Sequence, residues 1–454
     1  TPDTTVAASP MNPLILWLRR GWFGALLVCS ISGELFGQRW HMGTSPHFEV
    51  LSGASEKETR RLLIELERFR ANVLGVFPLG EAQEPKVRVY LFPSRRAFRP
   101  YMPTHEGKPK EVAGYFIGGP DEVIVALQPE KEASEHEDPV ELIYHEYFHL
   151  LTHTRGLEFP LWLEEGLAEV FSTLRVDGKH AEIGAPKELY AFVLSETSML
   201  PTEQLLGVDR SSPLYNEELR GSLFYAQAWA FTHYLLCGTD KGNLENLAAY
   251  IERLRTPGVH AQRAFREIFG DDMRKFDFAL RQYLDGGRYR LRRLPARPFD
   301  ESTVAVRPAT DFERDVALAN LEFRVHQNVG VTSRLLQLQA TQPDSARPFE
   351  VLGAIAAFEN DHDRARDYYR SATERASDNP FIYATMARDA MRLFDRNDFD
   401  QRLSATDAFD VQRWIDRALA LRPQDAELIE LLAEVEARSP TIRVHAVNRV
   451  QNAM

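Results

Sequence analysis

Cysteine is almost absent from this chain: there are two, Cys29 and Cys237, in 454 residues. A disulfide framework and a thiolate metal cluster are thereby excluded, the more so because loss of an N-terminal segment carrying Cys29 would leave a single thiol. Stability has to come from packing, and metal ligands have to be His and Glu. Cys237, inside Tyr234-Leu-Leu-Cys-Gly238, reads as a small buried apolar side chain. Basic charge is also in short supply. The formal net charge of −12 argues against a nucleic-acid role, since phosphate binding wants a basic face. The apolar run at the front, Gly21–Ile31 behind Arg19-Arg20, is of signal-peptide length and short of a membrane span. Export to a periplasmic or extracellular space is therefore expected, with residues 1–32 as the signal, Met11 as initiator and Ser30-Ile-Ser32 as cleavage site. Counting Leu14–Leu18 with the run turns it toward a membrane anchor, and a membrane association follows only in that case.

What is present begins with Asp138-Pro-Val-Glu-Leu-Ile-Tyr-His145-Glu146-Tyr-Phe-His149-Leu-Leu. Asp138 can cap a helix here, Pro139 suits its first position, and Glu141 completes a capping-box pattern. On that helix His145 and His149 share one face, four residues apart, so both imidazoles can reach one tetrahedral metal. Glu146 sits beside the metal, where a carboxylate can take the proton of an attacking water. A bare match of this kind also arises by chance on amphipathic helices. Against chance stands the cost of burying imidazole and carboxylate unpaired, several kcal/mol each, which a zinc ion would remove.

Downstream lies Pro160-Leu-Trp162-Leu163-Glu164-Glu165-Gly166-Leu-Ala-Glu169, a second helix carrying acids. It resembles the W-L-x-E-G element of the gluzincin (peptidase MA) clan, which includes aminopeptidase N-like enzymes. The resemblance implies that Glu165, just before the glycine, is the third zinc ligand with His145 and His149. It also implies that Glu169 lies in the second shell and orients His145, and that Glu146 is the general base of a zinc metallopeptidase acting on peptides or proteins. Fifteen residues lie between His149 and Glu165, against eighteen in the aminopeptidase pattern, so the loop Thr152–Phe159 is short. A metzincin would need glycine and histidine where Thr152 and Arg155 stand, and that subclass fails. The aminopeptidase G-x-M-E-N element is missing, so aminopeptidase activity is unsupported. His153 reads as a solvated helix-end histidine and Glu164 as a surface carboxylate. A tyrosine about sixty residues after the glutamate ligand serves the oxyanion in related enzymes, which points to Tyr225, with Tyr215 and His233 as rivals; a plain core aromatic is the other reading of Tyr225.

Around these helices the pattern suggests an α+β, zincin-like catalytic domain over residues 45–285, with a small mixed sheet and helices. His47–Ser52 and Lys86–Phe92 read as strands, Glu56–Leu74 as an amphipathic helix, Ser94–Tyr101 as a short helix and Val112–Leu127 as a hairpin. Ile124–Leu127 is placed on the sheet edge that would pair with an extended peptide. Leu223–Leu236 is the clearest later helix. Residues 286–311, basic and proline-rich, read as a linker. Over 312–440 the chain becomes all-α. Leu352-Gly353, Ala365, Tyr369 and Ala372 stand at the offsets of a tetratricopeptide repeat, with Leu338/Pro343 and Ala418/Pro423 repeating its close and Ala426–Ala437 as capping helix. A generic helical bundle is the alternative. Such repeats bind a protein partner and perform no chemistry, so the rival to an enzyme is an inactive zincin-fold scaffold working through its repeats. Glu146 speaks against that rival, because a dead scaffold has no use for a base beside three ligands.

Overall fold

Strand β1 (His41–Thr44) opens a six-stranded mixed sheet completed by β2 (Phe48–Ser52), β3 (Val87–Leu91), β4 (Gly114–Gly118), β5 (Val123–Leu127) and a late strand, Ala305–Pro308. The computed structural model describes residues 39–77, 84–105, 108–110, 112–119, 121–128, 138–215, 222–287, 289–395 and 402–453. The expected signal segment 1–32 lies outside them. Among the described residues no helix is long and apolar enough to cross a membrane. Residues 39–454 form one compact unit.

The middle strands β2, β3 and β5 run parallel and in register, with Val50 opposite Val89 and Val89 opposite Val125. One face of these strands is apolar, with Phe48, Val50, Val87, Val89, Leu91, Val123, Val125 and Leu127 in the core, while on the other face Arg88 pairs with Glu49. Strand β4 returns antiparallel to β5 and closes the sheet. The expected hairpin is there, but Ile124–Leu127 is an interior strand: among the described residues the edge is β4, its partly exposed neighbour. A continuous apolar run such as Val-Ile-Val-Ala-Leu belongs inside a sheet, and the edge lies one strand further out than expected.

Helix α1 (Glu56–Val76) is started by a complete capping box between Ser55 and Glu58. Its buried stripe of Leu63, Leu66, Phe69 and Val73 meets the next helix, α2 (Pro139–His153), where Phe69 stacks on Tyr144 with ring centroids 4.1 Å apart. Asp138 caps α2 through the Val140 amide. Glu141 does not close a box; its carboxylate turns to Arg175, 3.1 Å away. Helix α3 (Leu161–Ser172) is buried along its whole length, the mark of a core helix. Gly166 explains how its neighbour α5 (Leu223–Cys237) comes so near, since a Cβ there would overlap the Thr232 hydroxyl and the Ala228 carbonyl. Between them a hairpin, β6 (Arg175–Asp177) and β7 (His180–Ile183), leads into α4 (Glu188–Glu196). Helices α6 (Lys241–Leu254), α7 (Ala261–Phe269) and α8 (Arg274–Asp285) complete this region.

Residues 286–311 differ from the expected linker. Strand β8 (Arg292–Pro295) pairs with β7, and β9 (Ala305–Pro308) pairs with β1, so the basic, proline-rich stretch is stitched into two sheets. Proline and arginine are suited to such edges. The all-helical region follows: α9 (Asp311–His326), α10 (Thr332–Thr341), α11 (Arg347–Phe358), α12 (His362–Glu374), α13 (Pro380–Asp395), α14 (Ala405–Leu421), α15 (Ala426–Arg438) and α16 (Val444–Ala453). The last helix runs beyond the expected end at residue 440. Within α11 and α12, the Tyr369 ring fills the space a Cβ on Gly353 would need, and Ala365 and Ala372 are buried beside it.

Candidate metal centre

Helix α2 carries His145 and His149 one turn apart, and α3 delivers Glu165 opposite them. The two Nε2 atoms are 3.0 Å apart, and Glu165 Oε2 lies 3.3 Å from that of His145 and 3.5 Å from that of His149. Four ligands at about 2.0–2.1 Å in a tetrahedron stand about 3.3 Å from one another, which is the spacing of these three atoms. Glu165 Oε2 is buried and accepts no hydrogen bond. A buried carboxylate oxygen left in that state is costly, and a divalent cation facing it would remove the cost. The residues therefore fit a metal ion.

The charge balance agrees. Burial opposes charge on His149, but Glu165, Glu164 and Glu146 outweigh it and lift its pKa to about 10. Burial would raise Glu165, yet His149 and His145 hold it well below the usual carboxylate range. The site thus favours positive charge at its centre.

Behind each histidine stands a carboxylate from α3. Glu169 Oε1 lies 3.1 Å from His145 Nδ1, although off the direction of a good hydrogen bond. Glu169 is buried, and it is held in turn by the Lys187 ammonium and, at 2.8 Å, by the Tyr190 hydroxyl. Burial pushes its pKa up, and Lys187 and His145 more than offset that. Lys187 and Tyr190 were not legible as site residues: they return to Glu169 only because the β6–β7 hairpin reverses the chain.

Glu164 corrects a second expectation. Rather than lying on the surface, it is buried, 2.7 Å from His153 Nε2, 3.1 Å from Arg210 Nη2 and 3.5 Å from His149 Nδ1. Burial raises its pKa, but His149, His153 and Arg210 bring it to about 2. His153 ends α2 half-exposed, as expected. With His149 and Glu164 it forms a second cluster of metal-ligating types, but Arg210 already occupies that carboxylate.

Glu146, next to His145 on α2, is partly buried. Of the tyrosines, Tyr215 touches the ligand set, its hydroxyl donating to Glu165 Oε1 at 3.3 Å. Tyr225, the favoured residue, is buried in α5 with its ring 6.0 Å from that of Tyr215. His233 is out of the site altogether, its two ring nitrogens engaged at 2.8 Å by Tyr283 and by the Gly184 carbonyl. Cys237 is buried, and burial pushes its thiol up to about 12, where it is inert. Neither family models nor curated proteins give a match to this chain.

Proposed function

We propose that this chain is a zinc-dependent metallopeptidase of gluzincin type, exported, with tetratricopeptide-like helices after its catalytic region. The observation that carries the reading is the buried, unbonded Oε2 of Glu165, set at tetrahedral spacing from the Nε2 atoms of His145 and His149. His145, His149 and Glu165 would hold the zinc, which when bound would supply Lewis-acid polarisation of a peptide carbonyl and lower the pKa of a water.

The chain's own residues supply the rest. Glu146 takes the attacking water's proton on its carboxylate and passes it to the leaving amine. Glu169 and Glu164 stand behind His145 and His149 and fix their rings. Tyr215, whose hydroxyl donates to the ligand carboxylate, joins Tyr225 as a donor for the developing oxyanion. Strand β4, the last of the sheet among the described residues and packed against α2, can align an extended peptide by backbone hydrogen bonds. The close fit of Tyr369 to Gly353 supports the repeat reading of α11 and α12.

Metal analysis of the purified full-length chain together with cleavage of a peptide library tests the proposal. About one zinc per chain is expected, with cleavage abolished by a chelator and restored by zinc. Cleavage that persists in fully demetallated protein, or zinc-loaded protein that cleaves no peptide, would overturn it.

A further inference from the structure

The turn that joins β4 to β5 is gripped by the helical region. Its amide at Gly119 donates to the Glu122 carbonyl at 3.0 Å, and its two acidic residues point away from solvent. Glu122 is buried. Its Oε1 accepts from Asn320 Nδ2 at 2.7 Å and meets Arg324 Nε at 3.3 Å, while its Oε2 meets Arg347 Nη2 and Arg88 Nε, both at 3.0 Å. Asp121 pairs with the same Arg324, and its carbonyl accepts from Asn379 Nδ2 at 3.2 Å. Asn320 and Arg324 lie on α9, Arg347 opens α11 and Asn379 precedes α13. Four side chains from three alternate segments of the helical region therefore converge on one turn, joined among the described residues by Arg88 on β3.

A buried carboxylate ringed by three guanidinium groups is costly to assemble and strongly resists removal of either side. Such an arrangement specifies geometry. The geometry it specifies is that of a hairpin whose outer strand ends the sheet among the described residues and packs against α2. We propose that the helical region acts as a clamp on the β4–β5 hairpin, with Glu122 and Arg324 as positioning residues that set the strand packed against α2. The acid-recognising side chains on this face of the helices are thus occupied in cis, and the helical region works on the sheet beside α2 rather than as an appended adaptor. The activity arm of the test rests on the peptidase reading; the exchange arm does not.

The experiment is hydrogen exchange on the full-length chain, read over Gly114–Gly118 and over Pro139–His153, with zinc content and steady-state cleavage measured in parallel. Arg324→Met leaves Arg88 and Arg347 on Glu122 and should fold; Glu122→Gln is the stronger variant, and Glu122→Asp its conservative rescue. In Arg324→Met the β4 amides should exchange at least about tenfold faster while α2 stays protected and zinc stays bound. Peptide cleavage should weaken chiefly through a higher KM, and Glu122→Asp should recover part of what Glu122→Gln loses. Unchanged exchange at β4 in folded Arg324→Met would overturn the clamp, and so would equal loss of protection in α2, which marks a general stabilising cluster. If the parent neither holds zinc nor cleaves, the peptidase reading falls alone and the exchange result still decides the clamp.

Discussion

Glu122 and Glu165 are both buried carboxylates held well below the usual range, and they are partnered in opposite ways. Glu122 has both oxygens filled, by an amide and three guanidinium groups. Glu165 receives the Tyr215 hydroxyl on one oxygen and leaves the other bare toward two imidazoles. A saturated buried charge fixes a structure, whereas an unsaturated one marks where something else binds. The comparison breaks most visibly at Glu165. Glu165→Ala should lower metal affinity roughly a thousandfold or more, because binding energies of about 10–16 kcal/mol at protein zinc sites are shared among few ligands. The metal-free variant should still fold, since removing an unsatisfied carboxylate relieves a penalty. Metal titration followed by circular dichroism checks both halves. Should Glu164→Ala strip the metal while Glu165→Ala keeps it, the two acids have been assigned in the wrong order.

The next effect concerns chemistry with the metal in place. Glu146→Gln keeps size and reach but cannot accept a proton, so zinc should remain bound while peptide cleavage falls by about 10²–10⁴-fold. Zinc content and kcat on one peptide decide it. Cleavage at the parent's rate would remove Glu146 from the role of base.

How much of this was legible follows from the range over which each signal acts. The α2 helix was readable because its cap, its proline and the i, i+4 histidines are all local, and Glu165 because a tryptophan and a glycine frame it. Gly166 now has its physical reason in the approach of α5. The edge strand was misplaced because β4 and β5 differ by pairing, which no local period encodes. Residues 286–311 looked like a tether because proline and arginine also suit sheet edges, and which edge they meet is a long-range fact. Glu164 departs from expectation for a similar cause: an acid beside a ligand reads as solvated until Arg210 and His153 are brought to it by the fold. Residues whose work depends on a chain reversal, Lys187 and Tyr190 above all, leave no mark in sequence order.

The smallest effects set one supporting carboxylate against the other. Lys187 holds Glu169 from a largely buried position, whereas Arg210 holds Glu164 with half of its side chain in water. Partners behind a ligating histidine change metal affinity by about 10–100-fold when lost. Lys187→Met removes a partner of that partner, and Tyr190 still donates to Glu169, so a loss near tenfold is expected. Arg210→Ala breaks an ion pair of the exposed kind, worth about 0.2–1 kcal/mol, and His153 remains on Glu164, so metal affinity should change by less than about fivefold. Competition for zinc against a chromogenic chelator resolves the two. Burial of the supporting cation is what orders them: water can replace the Arg210 guanidinium at Glu164 but has little access to Glu169. If Arg210→Ala weakens zinc binding more than Lys187→Met, the carboxylate that matters to the centre is the one behind His149, and Glu169 is only packed there.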